Sequence, residues 1–405
     1  MTTETVFNNI TAPLQTILKK EADQLHGDSL LYKLSLYFLT MNLVYAIIKK
    51  IPSIALLVTG IKTSPDALDL ELVQASASMY SEALIRYDAK LFQRIFITLI
   101  EKLNFLEVPE IKAFGRFILV DGSIFPAFST MAWACYKSTN NAIKMHLAFE
   151  LNRMIPVQFF STDANGNEKK ALIAMLEAGV TYIADRGYVS FAVFQQIVSL
   201  QAFFIIRIKI NIKYAVIENL AVIIPDNWQF FFSEVSDSLI RFSNDKQKAT
   251  YRLVTFVAYD ETYRITTNRL DLTTGEIIML YAYRWQIELF FRCIKRTFNA
   301  LHLWSHSERG VEIQFYLYLI VYLLMVHFKQ NLNQRQESAN STKKVTSRYQ
   351  EKHTSRTPAR GIVTLLGEKL KTFWKMSIHW ITCIQNLLLK PLTTDVVAII
   401  NAIES

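Results

Sequence analysis

The sequence predicts an α/β protein in which a mixed sheet lies between an all-helical front and a helical end. Three observations carry that prediction. From the start to about Leu106, apolar residues recur at three and four, as in "LYKLSLYFLTMNLVYAIIKKI" and "LFQRIFITLIEKL", the period of helices with one buried face. After Glu107 to Lys112 the pattern changes to short apolar runs and alternation, beginning with "FILVDGS", which is strand grammar. Strand-like and helix-like runs then follow one another, as they do where helices pack on a mixed sheet.

The chain has 405 residues, 51% hydrophobic and 20% charged, enough to bury a sizeable core, with a length that suggests two or three domains. Disorder is expected only locally. A net charge of +9 favours an anionic partner, either nucleic acid or an acidic membrane surface, and charge does not separate the two. The opening "MTTETVFNNITAPLQ" lacks the basic, apolar and cleavage regions of a secretory signal. The most apolar run, Phe315 to Phe328, is short of the roughly 20 residues a spanning helix needs and reads as a buried core helix. Cys135, Cys293 and Cys383 are far apart and show no paired spacing, which fits a reducing, cytosolic compartment and indicates no structural metal.

Within the helical front, "SPDALDLELVQASASMYSEALIRYDAKLF" could hold two short helices around a Ser-rich turn, as in a helix-turn-helix. An ordinary helical hairpin accounts for it equally well. "FILVDGS", Phe117 to Ser123, reads as a buried strand ending in Asp121 and a turn. "IKMHLAFEL" and "MIPVQFFST" read as a hairpin joined at Asn152 and Arg153. Glu168 to Gly179 has helical periodicity with a Gly at the C-cap position. "VTYIADRGY" is a second short strand ending in an acid, Asp185, and the helix "SFAVFQQIVSL" and strand "AFFIIRIK" follow. From about Ile210 to Tyr263 the chain is rich in β-branched and aromatic residues, a β-rich insertion. Asp163 and Asp260 read as turn aspartates. From Lys329 to Arg360 there are eight Lys or Arg against two acids and almost no core-forming residues, so this segment is expected to be mobile; it is either a phosphate-attracting arm or a plain solvated linker.

The segment Leu280 to Phe298, "LYAYRWQIELFFRCIKRTF", carries the chemistry. Thr273 and Glu276 form a capping-box pattern, so a helix starts just after Thr273. On a regular helix Tyr281, Arg284, Glu288 and Lys295 fall within roughly a 60° arc, beside an apolar arc of Leu280, Ile287, Phe290, Phe291 and Ile294. Arg284 and Glu288 could simply pair across one turn, but Arg292 and Arg296 add more cations than one acid needs. A carboxylate among such cations makes sense where it binds a metal that touches phosphate. Asp121 and Asp185 are its natural partners, since each ends a buried strand and is followed by turn-formers.

With those residues in place, the chain resembles the bacterial insertion-sequence DDE transposases that carry a Y-R-E-K signature: Tyr281, two residues, Arg284, three residues, Glu288, six residues, Lys295. The block "RITTNRLDLTTGEIIMLYAYRWQIELFFRCIKRTF" resembles that family's third catalytic block, including Thr267 and Asn268. "VDGS" around Asp121 is similar to the first block and "YIADRGY" around Asp185 to the second. The likeness runs from about Arg116 to His327. It implies a ribonuclease H-like fold with a β insertion, and Asp121, Asp185 and Glu288 binding two divalent ions, normally Mg²⁺ with Mn²⁺ able to substitute. It further implies Tyr281, Arg284 and Lys295 on phosphates of the transposon end, with Arg292 nearby, and an aromatic residue supporting a flipped base. Trp228 and Trp285 are candidates for that aromatic, though both read more readily as core. Double-stranded DNA, as inverted repeats and target, is the implied partner, bridged by a homodimer in the bacterial cytosol or nucleoid.

The expected organisation is a helical DNA-binding region over 1–110, a catalytic domain in two parts over 111–209 and 263–328 with the β-rich insertion at 210–262, a basic flexible segment at 329–361, and a helical C-terminal region over 362–405. The expected function is cut-and-paste DNA transposition. The alternatives are a ribonuclease H-like nuclease without strand transfer, and a catalytically inactive, domesticated DNA-binding protein. The front end has few basic residues on its second candidate helix, "SMYSEALIRYD", and the basic segment matches no block of the family.

Overall fold

The computed structural model describes residues 6–25, 27–137, 140–224, 232–258 and 261–347. Eight helices come first: α1 (Val6–Gln24), α2 (Asp28–Leu31), α3 (Leu36–Ile48), α4 (Ile54–Thr63), α5 (Pro65–Asp69), α6 (Ala77–Arg86), α7 (Ala89–Lys102) and α8 (Pro109–Lys112). Ser53, Ser76 and Asp88 cap α4, α6 and α7, each side chain accepting an N–H of the first turn. The all-helical front is therefore as its periodicity predicts, and α6 packs on α4 and on the last helix described, α13 (Glu308–Ser347).

Between them stands a ten-stranded sheet: β1 (Arg116–Pro126), β2 (Cys135–Lys137), β3 (Asn140–Glu150), β4 (Ile155–Asp163), β5 (Val180–Ala184), β6 (Phe203–Arg207), β7 (Tyr214–Asn219), β8 (Ser233–Phe242), β9 (Thr250–Ala258) and β10 (Glu261–Thr267). Its order is β2-β3-β1-β5-β6-β10-β9-β8-β7, with β4 on β3. β1 pairs parallel with β5 and β5 parallel with β6, while the other ladders are antiparallel. β5 is buried at all five positions, as a central strand covered on both faces must be. The β-rich stretch 210–262 supplies β7, β8 and β9, which run on edge to edge from β10 in one sheet.

Helices α9 (Glu168–Ala174) and α10 (Phe191–Ser199) cover one face. Ile118, Val120, Val180, Tyr182, Phe204 and Ile206 point into that layer. The other face carries Phe117, Leu119, Ile183 and Ile205, packed with α11 (Thr274–Ala282), α12 (Trp285–Arg292), α13 and the N-terminal helices. Odd and even positions of each strand thus feed different cores.

The central part of α13 is apolar on every side, and every position from Ile313 to Met325 is buried. Its Glu308–Gln334 part is the one helix among the described residues long and apolar enough to cross a membrane, and 83% of its most apolar window is buried in the protein, against α1, α3, α6 and α7. The sequence reading of a core helix is met.

Four local expectations need correction. β1 does not end at Asp121 but continues to Pro126, because β3 pairs with it as far as Ala142. The helix from Glu168 stops at Ala174 rather than near Gly179; Gly179 instead takes a left-handed φ of 73°, which turns the chain into β5. The expected single helix after Thr273 begins there, with both halves of the capping box formed, but it is broken. Tyr283 N–H still bonds Met279, Arg284 N–H bonds Tyr281, α12 then starts, and residues Cys293–Thr297 form a π-helical turn. Tyr281 and Tyr283, two apart, would sit on opposite sides of a regular helix; the break lets both be buried. Finally, the expected mobile segment begins inside α13. Lys329 and Leu332 are buried, and between Leu332 and Pro358 the sequence has no Gly or Pro, so the buried part nucleates a helix that propagates to Ser347. The expected C-terminal helical region, 362–405, lies outside the described residues, as do Asp260 and Cys383.

A buried ion pair ties the outer strands to α11. Arg252 on β9 meets Asp237 on β8 at 2.6 Å, with side-chain exposures of 6% and 0%. Arg252 also donates to Leu272 O, and Thr274 Oγ1 of α11 donates to Asp237. Arg252→Ala strands the Asp237 charge, and urea unfolding is expected to show a loss of about 3–5 kcal/mol, whereas replacing both residues with apolar ones of similar volume recovers most of it.

Candidate active site

β1 and β5 are paired only from Arg116 with Val180 to Leu119 with Ile183. Two positions past the last pair come Asp121 and Asp185, at one level on neighbouring strands. Such strands lie about 4.8 Å apart, so continuing the register by two residues brings the two acid-bearing positions to one level. β5 ends just before Asp185, which leaves space beyond it, while β1 is held straight by β3. Asp121 shares the strand face of Phe117 and Leu119, the side covered by α12.

Glu288 comes from that side. Its carboxylate accepts from Arg284 Nη2 at 2.6 Å. Burial pushes the Asp121 carboxyl up to about 6; the Gly122 N–H and the Arg284 guanidinium pull it down, and the Glu288 and Glu168 carboxylates push it up. Asp121, Glu288, Arg284 and Glu168 therefore act on one another. The Tyr281 hydroxyl donates to Asp185 Oδ1 at 3.5 Å. Burial raises that phenol to about 12, so it stays a donor. Tyr281, for which the resemblance implies a phosphate contact, is buried beside Asp185.

Lys295 Nζ donates to Ile124 O at 2.7 Å and lies 4.8 Å from the Phe125 ring centre. The π turn at Cys293–Thr297 brings it there by advancing the helix face one residue. Arg292 is exposed at the end of α12. Trp285 is 48% exposed, which corrects its reading as core: it follows the break at Arg284, and α12 turns Gln286 and Ile287 inward instead. Trp228 lies outside the described residues. Thr267 and Asn268 bond the backbone of Phe204 and Ala202, which fastens β10 to β6.

Asp185 also opens onto a cleft lined by Lys169, Arg186, Gly187, Val189, Lys209 and Ile212. Sequence reasoning missed Glu168, Lys144, Tyr188 and His146. Glu168 opens α9 after the Asn167 cap, where an acid is ordinary helix-start chemistry. Only the fold shows that its neighbours across space are Lys144 and Gly187.

Hard carboxylate oxygens suit Mg²⁺ or Mn²⁺. Asp121 is disfavoured as an anion by burial and by two nearby carboxylates, a condition that a divalent cation relieves. Among the described residues no three acid or imidazole side chains stand close enough to share one ion, and Glu288 and Glu168 are each held by a cation, Arg284 and Lys144. The donor set fits such an ion in kind and charge, and ion binding requires those carboxylates to exchange partners.

Comparison with known proteins bears on the domain that carries this site. Residues 112–324 match the family described as "Transposase DDE domain". The chain is similar to a Sinorhizobium fredii protein named as the transposase y4zB, 27% identical over 51% of this chain and 59% of that one. It is similar to a transposase of insertion sequence element IS5377 from Geobacillus stearothermophilus, 24% identical over 48% of this chain and 52% of that one. A third relative is a transposase of insertion sequence element IS4SA from Synechocystis, 26% identical over 66% of this chain and 76% of that one. The chain thus spans little more than half the length of the first two. The α/β fold and the family match together define a DDE-type transposase domain. The chain belongs to the DDE-domain transposase family of insertion sequences.

Two outcomes follow from the site's packing. Trp285→Ala is expected to change unfolding free energy by no more than about 0.5 kcal/mol, since the ring is at the surface; calorimetry checks it. Burial, then Lys144, lowers His146 from 6.5 to about 4, against a smaller upward pull from Glu168. The folded state therefore takes up that proton later than the unfolded chain does, and stability present above 6.5 is lost as pH falls toward 4. Between pH 7 and pH 5 the loss is on the order of 2 kcal/mol, and the pH slope of urea unfolding flattens in His146→Gln.

Proposed function

We propose that the protein is a transposase that cleaves the ends of its insertion sequence and joins them to target DNA by metal-dependent phosphodiester transfer. The observation that supports this most is the level placement of Asp121 and Asp185 on adjacent strands, with Glu288 approaching over them, in a chain of the DDE family. Asp121, Asp185 and Glu288 would hold two divalent ions, Mg²⁺ or Mn²⁺, which when bound activate the attacking water or 3′-hydroxyl and neutralise charge at the leaving oxygen.

The remaining roles belong to the chain's own side chains. Tyr281 positions Asp185 by its hydroxyl. Arg284 holds Glu288 and can turn its guanidinium to a phosphate, for which a planar fork is well matched. Lys295 anchors the helix to β1 and, with Arg292, offers cations beside the acids. Lys169, Arg186 and Lys209 give the cleft beside Asp185 a basic wall, suited to the DNA backbone. Trp285, exposed next to Arg284, can stack on an unpaired base. Residues 1–110 are the proposed DNA-binding region, 111–209 and 263–328 the catalytic halves, and 329–361 a further basic contact, in a homodimer that bridges two ends.

With Mg²⁺, the protein is expected to cut a plasmid at the repeats that flank its gene and to join pre-cut 3′-hydroxyl ends to a second plasmid. Asp121→Asn, Asp185→Asn and Glu288→Gln each lower both steps on the order of 10³-fold or more, while gel shifts keep repeat binding. Cutting without joining indicates a nuclease. A variant that cuts at the normal rate sinks the assignment, and repeat binding with no cutting by the unaltered chain favours an inactive DNA-binding protein.

A further inference from the structure

Glu168 is the first residue of α9, and its carboxylate reaches two other elements. One oxygen, Oε1, accepts from Lys144 Nζ of β3 at 2.6 Å. The other, Oε2, lies so close to Gly187 that a Cβ there would overlap it. Lys144 itself crosses Gly122, where a Cβ would come within 2.7 Å of its Cε. Gly122 follows Asp121, and Gly187 is two residues after Asp185. Both acid-bearing segments therefore lack a side chain at the point where the Glu168–Lys144 pair passes.

Two buried polar atoms that feel Glu168 lack hydrogen-bond partners. Tyr188 is 1% exposed and its hydroxyl makes no hydrogen bond, although it lies in the field of Asp121, Glu168 and Asp185. His146 is fully buried; Nε2 meets Thr162 Oγ1 at 3.0 Å, while Nδ1 has no partner and stands 3.6 Å from the Cβ position of Gly122. Buried polar atoms left unpaired are uncommon, and two of them around one carboxylate are more than a surface ion pair requires.

Glu168 approaches from the α9 side of the sheet and Glu288 from the α12 side. Both carboxylates act on Asp121, one from each layer. We propose that Glu168 is a fourth carboxylate of the acidic site, held by Lys144 against Asp121 and Asp185 and joining them in binding divalent ions. This rests on the assignment of Asp121, Asp185 and Glu288 made above. Lys144 is then a competitor, since its ammonium and a divalent cation seek the same oxygen.

The test is Mn²⁺ binding by the full chain, followed by the electron paramagnetic resonance of free Mn²⁺, for the unaltered protein and for Asp121→Asn, Glu168→Gln and Lys144→Met. Glu168→Gln is expected to weaken binding about tenfold or more, and Lys144→Met to tighten it. A pair that serves only to join β3 to α9 gives lower melting temperatures in both variants with Mn²⁺ affinity unmoved, which overturns the proposal. Should Glu168→Gln fail to fold, Lys144→Met decides alone, and unchanged or weaker binding overturns it. If Asp121→Asn loses binding while Glu168→Gln does not, the fourth carboxylate is wrong and the other three stand. If the unaltered protein binds no Mn²⁺, or Asp121→Asn binds as well as it does, the underlying assignment falls too.

Discussion

The candidate site depends first on the parallel pairing of β1 with β5. Four residue pairs, Arg116 with Val180 to Leu119 with Ile183, bring Asp121 and Asp185 to one level. Because side chains alternate along a strand, a slip of one residue would turn either acid to the opposite face. The slip is opposed by two cores at once: Ile118 and Val120 are committed to one layer, Phe117 and Leu119 to the other. Packing of apolar residues on both faces thus sets where two carboxylates stand, without any contact between them.

The second constraint is charge. Asp121 is half-buried among acids that act on it from both layers, and like charges so close in a low dielectric repel strongly. The structure meets this by giving the longer acids their own cations, Arg284 for Glu288 and Lys144 for Glu168. Each pair has an accessible side, unlike Asp237 and Arg252, whose pair is enclosed and bonded to the Arg269 and Leu272 carbonyls and to the Thr274 hydroxyl of α11. The enclosed pair holds the fold together, whereas the two open ones leave their oxygens able to change partner. The break between α11 and α12 and the π turn after Arg292 belong to the same arrangement. With them in place Tyr281 faces Asp185 and Lys295 faces β1, while Arg284 and Glu288 pair across one turn as they would on any helix.

The larger architecture keeps this region rigid. α13 passes through the core and is covered by α1, α3, α6 and α7, so the helical front is packed on the same hydrophobic cluster as one face of the sheet. On the far side, β7, β8 and β9 extend the sheet rather than forming a separate layer, and Arg252 joins that extension to the start of α11.

Most elements were legible in the sequence because their causes are local. Helical periodicity marks the front end, the capping residues Thr273 and Glu276 mark α11, and β-branched runs mark the strands. The residues proposed for the site stood out for a similar reason: Asp121 and Asp185 follow buried apolar runs, and Tyr281, Arg284, Glu288 and Lys295 share one segment with a recognisable spacing. What the sequence could not determine were quantities set across space. It did not show that β1 continues past Asp121, since that depends on β3 being there to pair with it, nor that the helix breaks at Arg284, since that depends on where two tyrosines can be buried. Glu168 looked like any acid at a helix start. Its place beside Gly187 and Lys144 exists only once α9 has folded over the end of β5, because no local pattern records which side chains a sheet will bring together from opposite faces.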